Sequence, residues 1–253
     1  MSSLTVVYNE ISEVAGLLHK NGWAEKNAGN FSILVDLDFE INSGKHYPLP
    51  KPYTELANKV FIVTGKGKRM RDIARSPAEN TVVFKINSKG DMYSILSVAL
   101  VTPTSELPTH LAIHSMIAQR SSNERAVMHS HVTELIALTH IEKYCDQDRF
   151  NNMLWQMHPE TIMFIPTGVG FVPFELPGSS EIATATVEAL KYHSIALWEK
   201  HGVFSIASNL NDCYDLIDII AKATKIYLMC AAVGTLPQGL STNQLDQLKD
   251  IEF

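Results

Sequence analysis

Two histidines separated by a single residue are the feature of this sequence with the clearest capacity for chemistry. His129 and His131 lie in the apolar, strand-like run 125–131. Residues i and i+2 of a strand point to the same face, about 6–7 Å apart along it, so both imidazoles could bind one metal ion. Imidazole pairs suit zinc, copper, iron and nickel. Alternatively, one or both are core histidines with satisfied ring nitrogens, and the spacing alone leaves both interpretations open.

Two further residues could complete a metal site, because they also lie near the ends of predicted elements. His201 lies between two predicted strands, residues 195–198 and 203–207, and Glu106 lies at the start of a predicted helix. Three histidine ligands leave one coordination position of zinc open, which is the catalytic pattern. Glu106 is the best carboxylate for a base or a fourth ligand, although the helix dipole alone would favour a glutamate there. The remaining histidines are interpreted as surface or packing residues, among them His110, His114, His140, His158 and His193.

Two loops rich in glycine or small residues could bind an anion. The segment 65–71 holds two glycines and four basic residues, and glycine lets backbone N–H groups approach an anion and form a nest. A solvated charged turn explains the same composition equally well, and the spacing is not that of a P-loop. The loop 27–30 precedes a predicted strand, residues 31–37, and could likewise leave N–H groups free.

The composition is that of an ordinary globular protein. The 253 residues are 45% hydrophobic, with a net charge of −6 and a pI of about 5.9. This acidic balance argues against wholesale binding of nucleic acid or an anionic membrane, whereas a phosphorylated small molecule needs only one local positive site. The three cysteines form no C-x-x-C pair, which suits a reducing cytosol. No signal peptide or membrane span is predicted, and we expect a cytoplasmic protein.

Helices and short strands alternate along the chain. Amphipathic helices are predicted over residues 4–21 and 211–233, and residues 82–97 indicate a hairpin. Further predicted elements are a loop over 38–58, strands over 59–64 and 161–166, and helices over 133–142 and 180–193. No linker or repeat is evident. We therefore predict one α/β domain, residues 1–253, with a mixed, largely antiparallel central sheet flanked by helices.

Several short motifs carry a resemblance to a known family. They include Asn27-Ala28-Gly29-Asn30, Phe61-Ile62-Val63-Thr64-Gly65, Pro103-Thr104-Ser105-Glu106-Leu107-Pro108, Met128-His129-Ser130-His131 and Trp198-Glu199-Lys200-His201-Gly202-Val203-Phe204. Their order and spacing, over roughly residues 20–230, resemble the class II aldolase and adducin-head family. Two positions depart from the pattern of its nearest branch: Ala28 replaces a usual glycine, and Lys66 replaces a small residue. Lys66 could add a phosphate contact or crowd the loop.

The resemblance implies a class II aldolase-like fold and a complete active site. It implies one zinc ion per subunit, held by His129, His131 and His201, with Glu106 as the acid/base. It also implies a homotetramer with active sites at subunit interfaces, where Glu160 matches a family glutamate reached from the neighbouring subunit. A substrate phosphate is placed near a group of small and polar residues: Asn27, Gly29, Asn30, Thr64, Gly65, Thr104 and Ser105.

The implied reaction cleaves a phosphorylated ketose between C3 and C4 and leaves an enediolate of dihydroxyacetone phosphate. A divalent metal can act as a Lewis acid toward that charge, and a nearby carboxylate can transfer the proton on C3. Two alternatives stay open. One is a sibling aldolase, epimerase or dehydratase that acts on another sugar phosphate with the same zinc ligands. The other is a non-catalytic, adducin-like assembly module, which has no physical need for the three histidines and Glu106.

Overall fold

One mixed sheet dominates the fold. The computed structural model describes residues 4–37, 46–97, 101–120 and 122–249, and within them nine strands form one continuous sheet. The strands are β1 (Asn30–Val35), β2 (His46–Pro48), β3 (Val60–Thr64), β4 (Thr81–Ile86), β5 (Met92–Ile95), β6 (Ala126–Ser130), β7 (Gly170–Val172), β8 (Ile195–Trp198) and β9 (Gly202–Ala207). Their order is β2-β5-β4-β3-β1-β6-β9-β8-β7. Every neighbouring pair is antiparallel except β7–β8.

Helices cover both faces of this sheet. They are α1 (Leu4–Lys20), α2 (Met70–Arg75), α3 (Pro77–Asn80), α4 (Leu107–Gln119), α5 (Thr133–Leu138), α6 (Gln147–Met157), α7 (Pro159–Phe164), α8 (Ser180–Leu190), α9 (Leu210–Ala232) and α10 (Thr242–Lys249). The predicted helix 4–21 corresponds to α1, whose buried residues recur at helical spacing: Val7, Ile11, Val14, Ala15 and Leu18. Gly22, with φ of +72°, follows the helix end in the left-handed region.

The two faces of the sheet pack against different helices. Phe31 and Ile33 of β1 belong to the core shared with α1, α5, α6 and α9. On the opposite face, α4 and α8 pack against side chains such as Trp198 and Phe204. Because successive side chains of a strand alternate between faces, Asn30 and Ser32 point toward α4, where both form hydrogen bonds.

The predicted fold class is confirmed: a mixed, largely antiparallel sheet is flanked by helices. The strand predicted over 161–166 is wrong, because Pro159–Phe164 is α7, which begins with a proline in its first turn. A short apolar run does not distinguish a buried strand from a buried helix. Residues 38–45 of the predicted loop 38–58 lie outside the described residues, and His46–Pro48 form the edge strand β2. That residues 1–253 form a single domain stays our proposal, which the continuous sheet supports.

Adjacent strand ends gather the candidate residues at one edge of the sheet. Since β1 runs antiparallel to both β3 and β6, its first residue lies beside their last residues. Asn30 is paired with His129, and Gly65, just after β3, forms a bridge with Pro103 near the start of α4. None of the helices in the described part of the chain is long and apolar enough to span a lipid bilayer.

Candidate active site

The three histidines singled out from the sequence converge at this edge. His129 lies near the end of β6, His131 lies just beyond it, and His201 lies in the three-residue loop between β8 and β9. One ring nitrogen of each lies within 4.8 Å of the others, and their ring centroids are 5.0–5.3 Å apart. The prediction that they come together is confirmed, and three nitrogens at this separation can surround one metal ion.

Hydrogen bonds orient two of these imidazoles. His129 Nδ1–H donates to the carbonyl oxygen of Val203 over 3.1 Å, and His131 Nδ1–H donates to Glu25 Oε1 over 2.8 Å. Metal-binding histidines are commonly held in this way, with Nδ1–H donating to an oxygen atom and Nε2 turned toward the metal. His129 Nε2 and His201 Nδ1 are buried and have no hydrogen-bond partner among the described residues. Satisfied core histidines would not show this pattern, so the geometry favours metal binding.

Electrostatics keep the rings of His129 and His201 neutral. Burial lowers the pKa of His129 well below its ordinary value, and the neighbouring rings of His131 and His201 lower it further. Burial, helped by His131, lowers the pKa of His201 to about 4, although Glu25 opposes the shift. An imidazole must be neutral to bind a metal. Both lone pairs are therefore available at neutral pH.

Close packing at Gly202 brings the loop that carries His201 up to β6. A Cβ atom on Gly202 would lie 2.5 Å from the carbonyl oxygen of Ser130, 3.0 Å from His129 Cε1 and 3.1 Å from His131 Cδ2. Only glycine fits this approach without movement of the backbone. The absence of a side chain at Gly202 therefore lets His201 lie close to His129 and His131.

Substitution of Gly202 by alanine is expected to displace the histidines. Overpacking of this kind costs about 1–3 kcal/mol, which lowers the melting temperature by several degrees, and metal content should fall below half an equivalent per chain. Differential scanning calorimetry and metal analysis measure both effects. Gly16→Ala is the matched control, because its new Cβ would meet only Ala74 Cβ, at 3.8 Å. Equal metal content and melting temperature in the two variants would contradict the packing argument.

Glu106 lies beside the histidine cluster. It occupies the N-cap position of α4, but its side chain makes no capping hydrogen bond. Instead, Glu106 Oε2 accepts a hydrogen bond from Asn30 Nδ2 over 3.1 Å and lies 4.0 Å from His129 Nε2. Burial raises the pKa of Glu106, while the bond from Asn30 and the nearby His131 oppose the shift. A carboxyl group with a raised pKa is suited to take up and release a proton.

A cavity of about 350 Å³ opens in front of these groups. All seven residues that the resemblance associates with phosphate line it: Asn27, Gly29, Asn30, Thr64, Gly65, Thr104 and Ser105. Glu106, His131 and His201 line it as well. Thr64 is already engaged, because its hydroxyl group accepts from the backbone N–H of Phe31 over 3.0 Å. The cavity therefore joins a polar pocket to the histidine cluster.

Basic side chains lie next to this cavity. An adjoining cavity of about 420 Å³ is lined by Lys26, Arg69 and Arg71, and the two cavities share Glu25 and Lys26. The predicted backbone nest in the loop 65–71 is not formed by its first amides, since Gly65 N–H and Lys66 N–H donate to backbone carbonyl oxygens over 3.0 and 2.8 Å. An anion would therefore meet the side chains here, and several like charges raise the local concentration of anions.

Three further residues considered from the sequence do not line this cavity. Glu160 lies in the first turn of α7, 3.1 Å from His158 Nε2, and does not line the cavity of its own chain. His110 and His114 are packing residues rather than surface residues, because they are 0% and 3% exposed. Burial lowers the pKa of each to about 3.

Sequence reasoning missed the residue that orients His131. Glu25 lies in the loop after α1, and the backbone bond from His131 N–H to Trp23 O, 2.9 Å long, ties that loop to the end of β6. Burial would raise the pKa of Glu25, but the hydrogen bond from His131 and further interactions outweigh it and the pKa is lowered. The local sequence pointed to Glu25 only in that it is a carboxylate two residues before Asn27, the first residue of a loop that could bind an anion.

A family model described as the class II aldolase and adducin N-terminal domain matches residues 9–228. A curated relative from Bacteroides thetaiotaomicron, named rhamnulose-1-phosphate aldolase, is 39% identical over 248 residues, which is 95% of this chain and 91% of the relative. Another relative of that name, from Escherichia coli O139:H28, is 37% identical over 88% of this chain and 85% of its own.

Solved structures agree with this similarity. A sugar-phosphate aldolase from Thermotoga maritima superimposes with a TM-score of 0.83 at 31% identity, covering 93% of this chain and 99% of that one. An L-fuculose 1-phosphate aldolase superimposes with a TM-score of 0.63, covering 99% and 97% of the two chains. Its identity is 17%, so it supports the fold alone.

Proposed function

The chain belongs to the class II aldolase and adducin N-terminal domain family, and we propose that it is a zinc-dependent lyase that cleaves L-rhamnulose 1-phosphate into dihydroxyacetone phosphate and L-lactaldehyde. The name shared by the relatives from Bacteroides thetaiotaomicron and Escherichia coli supports this substrate. The observation that carries the proposal is the meeting, in one cavity, of three histidine nitrogens, a buried carboxyl group and a polar pocket beside basic side chains.

His129, His131 and His201 would hold the metal. Their fit rests on the buried nitrogens without hydrogen-bond partners and on the carboxylate and carbonyl that orient two of the rings. Zinc accepts three histidine ligands and keeps a coordination position open. When bound, the ion supplies Lewis-acid stabilisation, worth several kcal/mol, to the negative charge that develops on the ketose oxygens.

Glu106 would give a proton to C3 of the ketose, the carbon that keeps the electron pair of the broken bond. When the C3–C4 bond breaks, its electron pair stays with C3, and C4 becomes the aldehyde carbon as its hydroxyl group releases its proton to solvent water. C3 then takes a proton from the protonated carboxyl group of Glu106, which completes dihydroxyacetone phosphate, and Glu106 regains a proton from solvent. Burial of Glu106, which raises its pKa, helps the carboxyl group to hold that proton until the bond has broken.

The polar pocket would bind the phosphate group. The residues proposed to surround it are Asn27, Gly29, Asn30, Thr64, Gly65, Thr104 and Ser105, which share one cavity with the histidines. Lys26, Arg69 and Arg71 would draw a doubly charged substrate toward that cavity. Binding the phosphate at a fixed distance from the histidines would align C3 and C4 of the ketose with Glu106.

We also propose that the protein is a cytoplasmic homotetramer in which Glu160 of one subunit reaches the active site of its neighbour. The three cysteines are free, which suits a reducing compartment. Glu160 does not line the cavity of its own chain, so a contribution from it requires a second subunit. Light scattering on purified protein measures the assembly, and a monomer with full activity would remove Glu160 from the mechanism.

A panel of sugar phosphates tests the substrate. An enzyme-coupled assay should detect release of dihydroxyacetone phosphate from L-rhamnulose 1-phosphate, with kcat/KM at least about tenfold above that for L-fuculose 1-phosphate, since groups that contact one hydroxyl commonly discriminate by more than this. Preference for L-fuculose 1-phosphate would assign the sibling aldolase. Epimerisation of L-ribulose 5-phosphate without cleavage would assign an epimerase, and inactivity of fully metallated protein would favour an assembly module.

A further inference from the structure

A continuous series of hydrogen bonds runs from Glu106 into the protein. Asn30 Nδ2 lies 3.1 Å from Glu106 Oε2, and Asn30 Oδ1 lies 2.5 Å from His110 Nε2. His110 Nδ1 lies 2.8 Å from Ser32 Oγ, which in turn lies 2.8 Å from His114 Nε2. Asn30, Ser32, His110 and His114 are each 6% exposed or less. We call these four residues, together with Glu106, the polar chain.

The polar chain follows from the side-chain spacing of the strand β1 and of the helix α4. Asn30 and Ser32 are two apart on β1 and share the face of the sheet that packs on α4. His110 and His114 are four apart on α4 and share one face of that helix. The hydroxyl group of Ser32 lies between the two rings and touches both. At its far end, His114 lines a separate surface cavity of about 330 Å³.

The chemistry of the groups fixes the direction of every bond. Glu106 Oε2 accepts from Asn30 both in the ionised carboxylate and in a carboxyl group that carries its proton on Oε1, so the NH₂ group of Asn30 faces it and the carbonyl oxygen of Asn30 faces His110. That oxygen also only accepts, so His110 carries its proton on Nε2. His110 is fully buried and neutral, and its Nδ1 therefore accepts from the hydroxyl group of Ser32. Ser32 in turn accepts from His114 Nε2–H. All four donors point toward Glu106.

We propose that His110, Ser32 and His114 are positioning residues that lock the amide of Asn30 with its NH₂ group toward Glu106 and so fix the carboxyl group for proton transfer. This inference rests on the role proposed above for Glu106. A buried polar chain with every member satisfied holds a single arrangement, because each broken bond would leave a desolvated donor or acceptor.

The polar chain is not a proton wire between the two cavities. Asn30 interrupts it, because a side-chain amide offers N–H donors on one atom and an acceptor on another and does not exchange protons as an imidazole does. The role left for the buried histidines is therefore orientation. Without the hydroxyl group of Ser32, His110 could carry its proton on Nδ1, and the amide of Asn30 would be free to turn its oxygen toward the carboxylate.

The matched variants Ser32→Thr and Ser32→Val test this inference. Their side chains have the same shape and differ in one hydroxyl group. We expect kcat at least tenfold lower for Ser32→Val than for Ser32→Thr, with KM within threefold and equal metal content. Ser32→Val should also melt at a lower temperature, because the rings of His110 and His114 each lose a buried hydrogen bond. A purely structural role would lower the melting temperature alone and leave kcat of the folded, metallated protein equal in the pair. Equal kcat values, or a loss of activity that only follows metal loss, would overturn the inference.

Nuclear magnetic resonance of ¹⁵N-histidine-labelled holoenzyme tests the same inference without a new side chain at position 32. The spectra should show His110 and His114 as neutral rings protonated on Nε2, with signals assigned by His110→Gln and His114→Gln. A proton on Nδ1 of His110 would reverse the polar chain and overturn the inference. Glu106→Gln separates the two proposals: if it retains activity, the proposed role of Glu106 fails, whereas its inactivity with indistinguishable Ser32 variants removes only the positioning role.

Discussion

Replacing Glu106 by glutamine is expected to lower kcat at least a hundredfold while the fold and the metal content persist. Glutamine has nearly the same shape as glutamate, and its side-chain oxygen can still accept the hydrogen bond from Asn30 Nδ2. It holds no transferable proton at neutral pH, and general acid–base help is typically worth about 10²–10⁴-fold. Steady-state release of dihydroxyacetone phosphate measures the loss, and metal analysis with circular dichroism checks the fold.

Glu181→Gln is the matched control for this variant. It makes the same change of charge at an exposed position on α8 that does not line the cavity. The control should retain the activity of the unmodified protein. A near-normal rate for Glu106→Gln would remove Glu106 from the mechanism, and a rate that falls only as zinc is lost would make it a structural residue of the metal site.

Replacing His129 by glutamine is expected to abolish both metal binding and turnover. His129 is fully buried, and its free Nε2 faces the other two histidines. Loss of one of three ligands should leave less than about a tenth of an equivalent of metal per chain. A bound ion supplies several kcal/mol to the reaction, and about 4 kcal/mol corresponds to three orders of magnitude in rate. Metal analysis and the coupled assay on one preparation measure both losses.

His140→Gln serves as the control, because it removes an exposed histidine outside the cluster. It should keep one equivalent of metal and normal turnover. Retention of metal by His129→Gln would show that the ion binds elsewhere, and turnover by that variant without metal would contradict the proposed chemistry.

Local sequence patterns predicted several residues of the candidate site. The pair His129 and His131 was visible because strand periodicity places residues i and i+2 on one face, and Glu106 was visible as a carboxylate at a predicted helix start. His201 is far along the chain from the pair, so no local pattern could join them. The resemblance to a family supplied that link, and antiparallel pairing of β6 with β9 provides its physical basis.

Other features depend on tertiary contacts that no local pattern encodes. Glu25 orients His131 only because the loop after α1 folds back onto the end of β6. The run 161–166 became the helix α7 rather than a strand, since its apolar residues alone did not decide between the two. His110 and His114 are packing residues, as one of the two interpretations had it, but no local pattern showed their hydrogen bonds to Ser32. Their spacing of four, among the apolar residues of α4, was the one available sign that they share a buried face.

Removal and restoration of the metal test the central claim most directly. The protein is dialysed against a chelator, zinc is returned in steps up to one equivalent per chain, and release of dihydroxyacetone phosphate from L-rhamnulose 1-phosphate is measured at each step. The account predicts that activity falls to about 1% or less, because the reaction loses several kcal/mol of transition-state stabilisation from the metal. Activity should then return in proportion to bound zinc. Full turnover by the metal-free protein would contradict the claim that the three histidines hold the ion on which the reaction depends.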